Sequence, residues 1–172
     1  MEGNQASARA EKSESESRLV KFGFLFHRIT NPVVRMILSS PLHALLSGKL
    51  ILITYTGRQS GVRHTLPVMY ANWDDELVVV VGYYDKKKWW RNFRGKPVAV
   101  KIRYRGKLLE GSALAVEGKA AEIVPRLVEY LKKYPASARR RGLDPIADVD
   151  KQTFIDRTKS EVMVIIRPSA GN

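Results

Sequence analysis

The sequence predicts an α+β fold that is mainly β: a small, largely antiparallel barrel of about six strands with flanking helices. Three observations lead there. Five strand-like runs follow one another between Leu50 and Val116, joined by short turns. A helical stripe lies beyond them, and one late strand, Val162 to Ile166, follows it. Strands in a run, with helices before and after, describe a barrel rather than an alternating α/β sheet.

Taken in order, residues 1–18 are polar and rich in Ser and Glu, which predicts a disordered tail. Residues 19–48 form an apolar N-terminal segment. Leu19, Val20, Phe22, Phe24, Leu25, Phe26 and Ile29 precede an Asn31-Pro32 break, and Val33 to Leu38 resume the pattern, so two short helices are expected. They either pack on the sheet or, with Lys21, His27, Arg28 and Arg35, lie at a membrane interface or over an apolar pocket. The barrel domain spans 49–168, with 169–172 as a tail. Its strands are Leu50 to Thr56, Val62 to Tyr70, Glu76 to Val81, Val98 to Tyr104 and Lys107 to Val116, with turns at Gly57 to Gly61, Asn72 to Asp75 and Arg105-Gly106. The stretch Tyr83 to Pro97 is too long for a hairpin and sets paired Trp at helical spacing from Phe93, so a helical turn over one barrel mouth is expected. Ile123, Val124, Leu127, Val128 and Leu131 make an amphipathic stripe over Ala120 to Tyr134, with Pro125 in its first turn, and Asp148 is expected to cap a short helix through Phe154.

Composition narrows the function. Lys and Arg number 30 against 17 acids, a net charge of +13, and because residues 1–18 hold four acids and three bases the remainder carries about +14. A surface this basic implies an anionic partner: nucleic acid, an acidic membrane surface or a polyanionic small molecule. With no Cys there are no disulfides, thiolate sites or cysteine nucleophiles. The three His stand far apart without metal-ligand spacing, so no metal site is expected. The apolar runs fall short of the roughly 20 residues a spanning helix needs, and a cytoplasmic protein is expected, with peripheral contact at the inner face of the plasma membrane through residues 19–39 as the further reading.

The chemistry gathers around Leu50 to Pro67. Glycines bracket Arg58, Gln59 and Ser60 in a hairpin tip whose backbone N–H groups can form an anion nest, and Arg58 and Arg63 flank it with guanidinium forks. The segment Tyr83 to Arg94 reaches the same barrel end, so Arg58, Arg63, Lys86, Lys87, Lys88 and Arg91 should ring one opening with Trp89 and Trp90 as flat walls. Cations with aromatic walls suit a planar ring bearing an anionic tail. Lys86 to Lys107 also holds ten Lys or Arg and no acid, which leaves nucleic-acid stacking on Trp89, Trp90 and Phe93 as a competing reading.

Thr56 to Gly61 spells T-G-R-x-S-G with Pro67 six residues on, and Trp89 to Asn92 spells W-W-R-N. Together with SPLHALLSGKL at Ser40 to Leu50, these resemble the deazaflavin-dependent nitroreductase and quinone reductase family over roughly Ser40 to Val116. The resemblance implies a split β-barrel that binds reduced coenzyme F420, an 8-hydroxy-5-deazaflavin with a phospholactyl oligoglutamate tail; FMN or FAD are the alternative cofactors. It further implies that Arg58, Ser60 and Gly61 hold the phosphate region, that Pro67 lies beside the deazaflavin, and that Trp89 and Asn92 frame the ring. Gln59 and His64 stand where some members have Lys and Arg on the anionic tail, which hands that grip to Arg63 and to Lys86 to Lys88.

The expected activity is an oxidoreductase passing hydride from reduced F420 to a lipophilic acceptor: a quinone, nitroaromatic or enone. No acid, base or nucleophile pair stands out, as befits chemistry carried by a cofactor. Tyr70, Tyr83, Tyr84 and Tyr134 are the candidate proton donors or acceptor contacts. The alternatives are a non-enzymatic flavin or deazaflavin carrier and a basic nucleic-acid-binding module. A monomer or a homodimer fits equally.

Overall fold

The computed structural model describes residues 48–118 and 123–169. Seven strands form one antiparallel sheet: β1 (Leu50–Thr56), β2 (Arg63–Met69), β3 (Ala71–Trp73), β4 (Glu76–Val80), β5 (Val98–Tyr104), β6 (Lys107–Glu117) and β7 (Val162–Pro168). Their order is β2-β1-β5-β6-β7-β4-β3. The two edge strands, β2 and β3, are separated in the chain by Tyr70 alone, so the sheet must curl until its edges meet. The result is a split β-barrel. The strand expected to stop at Tyr70 bends there and runs on to Trp73, which raises the count from six to seven. Two bonds hold the bend. The Tyr70 N–H donates to the Lys49 carbonyl at 3.3 Å, and the Tyr134 hydroxyl donates to the Tyr70 carbonyl at 2.6 Å.

Period-two alternation sends Ile51, Ile53 and Tyr55 of β1 into the barrel with Val100, Ile102, Val164 and Ile166. On β4 and β7 both faces are buried, because Val78, Val80, Met163 and Ile165 face outward under a helical layer. That explains the unbroken apolar runs there. Helix α1 (Ile123–Lys133) covers this face with Ile123, Leu127, Tyr130 and Leu131; each fully buried Leu contributes about 1.5–3 kcal/mol. Helix α2 (Pro135–Arg139) follows, and α3 (Lys151–Thr158) is capped by Asp150, whose carboxylate accepts from the Thr153 N–H at 2.9 Å. The cap expected at Asp148 is thus corrected: Asp148 ends a separate 3-10 turn, Ile146–Asp148. Between β5 and β6, Arg105 and Gly106 both adopt positive φ (48° and 79°), the backbone a two-residue hairpin needs.

The helices expected between Leu19 and Leu38, and with them the expected membrane-contacting segment 19–39, lie outside the described residues. Among the described residues, no helix is long and apolar enough to cross a membrane.

Candidate functional site

The β1–β2 hairpin and the segment before β5 meet at one end of the barrel. At the hairpin tip, the Gly57 N–H donates to the Val62 carbonyl at 2.8 Å and the Gly61 N–H to the Gly57 carbonyl at 2.9 Å. Gly61 has φ 65°. At Gly57 the constraint is different: a Cβ there would stand 2.6 Å from Ser60 Oγ and 3.1 Å from His64 Nε2, so those side chains would have to shift. Ser60 Oγ accepts the Val62 N–H at 3.3 Å, so this hydroxyl shapes the tip.

Opposite the tip, Trp89–Phe93 forms a 3-10 turn. Asn92 joins the two. Its Oδ1 accepts the Arg58 N–H at 2.8 Å and its Nδ2 donates to the Trp89 carbonyl at 2.8 Å. Between tip and turn lies a cleft of about 310 Å³ lined by Arg58, Gln59, Lys88, Arg91, Asn92 and Arg94. Four cations and two amides make it a donor-rich pocket for an anion. The nearby acid is Glu117, which holds Arg94 through both carboxylate oxygens, with Nη2 to Oε2 at 2.6 Å. The bond from Arg94 holds the Glu117 carboxyl below its ordinary value, burial opposing. Arg94 also lies over the Trp90 ring at 5.2 Å, so its guanidinium is fixed from two sides. Arg58 and Lys88 have no ion-pair partner among the described residues.

The expected ring of cations is only partly assembled. Arg58, Gln59, Lys88 and Asn92 line the cleft, and Trp89 is half-buried beside it, edge-on to Phe93 at 6.1 Å between centroids. Lys86 is exposed on the neighbouring loop. His64 pairs with Tyr55 across the hairpin, rings 5.4 Å apart. Arg63 and Pro67 belong to the outward face of β2, because Leu66 and Val68 take the inward positions. Arg63 therefore lines a separate groove on the other side of the hairpin.

Three expectations are corrected. Trp90 is not a wall: it is buried in the barrel core, and its indole N–H donates to the Tyr84 carbonyl at 3.0 Å. Tyr70 is fully buried in the interior, where burial pushes its phenol up. Tyr134 sits in the helical layer with its hydroxyl engaged by the Tyr70 carbonyl, and burial pushes it up as well. Neither is among the residues that line the cleft. Tyr83 and Tyr84 remain exposed on the loop after β4. The residue overlooked is Arg94, which lines the cleft beside Arg91 and whose backbone forms an isolated parallel bridge to Ala115.

The sheet leaves a seam at this end. Among the described residues, β2 pairs only with β1, and β4 pairs with β3 only through Glu76 to Val78, so the facing edges of β2 and of Val79 and Val80 carry no ladder between them.

Fold and cleft together define a split-barrel protein whose open end is built for an anionic ligand. The family model described as F420H(2)-dependent quinone reductase matches residues 28–145, and the chain belongs to that family. It is an oxidoreductase whose cofactor is coenzyme F420. A search of curated proteins finds no significant match. Solved structures similar to it include an F420-H2-dependent reductase (18% identity, 68% of this chain and 93% of that one, TM-score 0.44). A FAD-binding protein from Mesorhizobium loti is similar at 13% identity over 79% and 87% of the two chains, with a TM-score of 0.39. The FAD and haem binding protein from Mycobacterium smegmatis is similar at 16% identity over 77% and 73%, with a TM-score of 0.38.

The residues present fit the anionic part of F420. Arg58, Lys88, Arg91 and Arg94 offer charge, and Gln59 offers an amide, around a space open to solvent at the barrel end.

Proposed function

We propose that this protein reduces a lipophilic acceptor, a quinone, nitroaromatic or enone, at the expense of reduced F420. The cationic cleft clamped by the Arg58 N–H to Asn92 Oδ1 bond carries this reading. When bound, the reduced deazaflavin supplies a hydride. Arg58, Lys88 and Arg91 hold the anionic tail, Asn92 keeps the tip against the turn, and Trp89 with the β2–β4 seam gives a planar ring its place.

Water reaching the solvent-open barrel end is the proton source in this reading. Val62, Tyr83 and Tyr84, three of the exposed large hydrophobics, belong to loops at this end and favour an apolar acceptor. Peripheral membrane contact through residues 19–39 belongs to the same reading, since it would bring the site to a lipid-soluble acceptor.

The test is titration with oxidised F420, FMN and FAD, followed by Trp fluorescence, then addition of menadione to protein loaded with reduced F420. F420 is expected to bind at micromolar protein, more weakly as salt rises, and the reduced form to be oxidised once menadione is present. Absence of F420 binding overturns the proposal. Binding without oxidation makes the protein a carrier.

A further inference from the structure

Glu117 sets an acid at the mouth of a cationic cleft, and strand alternation puts it there. Ala113 and Ala115 of β6 face the barrel core, so Glu117, the last residue of the strand, shares their face at the mouth. Arg94 forms its isolated backbone bridge with Ala115, two residues away, which brings the two side chains together. Gly118 follows at φ 61° and donates its N–H to the Glu161 carbonyl at 2.8 Å, so the backbone beneath Glu117 is fixed.

Arg94 Nε donates to Glu117 Oε1, and Nη2 donates to Oε2. These bonds occupy one edge of the guanidinium and leave Nη1 without a hydrogen bond among the described residues. The two side chains are 54% and 40% exposed, and exposed ion pairs are usually weak. A two-bond fork that also rests on the Trp90 ring is the geometry in which such a pair still orders a side chain. Arg91 lies over the same ring, so two like charges share one support beside Glu117. The bonds from Arg94, and then the charges of Arg94 and Arg91, outweigh burial and hold the Glu117 carboxyl below its ordinary value, so it is ionised at neutral pH. An acid here weakens the cleft's attraction for every anion, which makes no sense in a site that only gathers charge. What it adds is orientation. Held at one edge and from beneath, Arg94 keeps its other edge for a ligand with paired oxygens, a phosphate or a carboxylate.

We propose that Glu117 is a positioning residue of the cleft: it orients Arg94, so that the site prefers a ligand whose anionic group docks on that one guanidinium edge over a polyanion held by charge alone. The inference rests on the F420 reading above. Glu117 touches no ligand itself and acts through Arg94.

Binding of oxidised F420 and of a single-stranded oligonucleotide is compared by Trp fluorescence at low salt in wild type, Glu117→Gln, Arg94→Ala and the double variant. The Gln side chain keeps the size of Glu117 and removes its charge and one acceptor oxygen. Glu117→Gln is expected to weaken F420 about fivefold while the oligonucleotide binds at least as tightly as before, because the net charge has risen. Damage to the fold would weaken both ligands, and a change of overall field would strengthen both. In the Arg94→Ala background the same substitution should no longer weaken F420, since the residue through which Glu117 acts is gone. F420 affinity unchanged or raised in Glu117→Gln overturns the proposal, as does a loss of both ligands or a loss of F420 affinity that persists without Arg94. No binding of F420 by wild type defeats instead the reading beneath it.

Discussion

Replacing Asn92 by alanine tests whether the clamp between tip and turn is what makes the cleft. Asn92 makes two side-chain bonds of 2.8 Å, one to the Arg58 N–H 34 residues away and one to the Trp89 carbonyl within its own turn. A typical hydrogen bond contributes about 0.5–1.5 kcal/mol net, and the Arg58 amide is exposed enough for water to replace its partner, so about 1–2 kcal/mol is lost in all. The hairpin keeps its Gly57 to Val62 and Gly61 to Gly57 bonds and stays folded. In a chain of this length the Tm therefore falls by only about 2–6 °C. Cofactor binding suffers in proportion to the order that must be restored on binding, which makes Kd about 5–30-fold weaker. Hydrogen exchange separates the clamp from direct ligand contact: in the free protein the Arg58 amide should be protected, and Asn92→Ala should abolish that protection. An unprotected Arg58 amide in wild type, or F420 affinity unchanged within about twofold in the variant, refutes the reasoning.

Arg58→Ala removes a guanidinium without an ion-pair partner among the described residues and is expected to weaken F420 about tenfold, with a shallower dependence on salt, as read by titration at two ionic strengths. Tyr83→Phe and Tyr84→Phe should leave the turnover of menadione within about threefold of wild type, because water delivers the proton; a loss of about a hundredfold in either would assign that tyrosine the role. Glu76→Gln should cost about 2–3 kcal/mol in urea unfolding at neutral pH, since Glu76 is nearly buried and bonded to Arg126 at 2.7 Å and Arg167 at 2.8 Å. Burial pushes the Glu76 carboxyl up, but the two arginines outweigh it and hold it below its ordinary value. Its contribution is therefore present above the unfolded value of about 4.3, so the gap between wild type and variant should close only as the pH falls below that.

The strands were legible because each is a short run of apolar, β-branched and aromatic residues closed by a Gly or polar turn. β1 is apolar from Leu50 to Ile53 with Leu52 buried as well, and the continuous apolar runs of β4 and β7 follow from burial on both faces. The bend at Tyr70 was not legible. It depends on Lys49 and Tyr134, which satisfy the Tyr70 backbone from distant parts of the chain. The position of Arg63 was hidden for a related reason. Proximity in sequence to Arg58 placed both on one anion site, whereas strand alternation turns Arg63 to the outward face of β2, toward a different groove.

The turn at Trp89–Phe93 shows how periodicity decides which of two adjacent tryptophans reaches the site. In a 3-10 turn residues three apart share a face. Trp90 and Phe93 accordingly both point inward and are buried, while Trp89 and Asn92 share a second edge, where Asn92 Nδ2 reaches the Trp89 carbonyl. Arg91 and Arg94 share the third, and both line the cleft and lie over the Trp90 ring at 5.7 and 5.2 Å. Taken as a pair, the two tryptophans looked like facing walls; taken at a period of three, they divide into one core residue and one site residue. The same period links Arg91 to Arg94, the cation the local pattern missed. The buried Trp90 is thus a platform beneath both arginines, and the placement of the cleft's charge draws on a residue that never lines it.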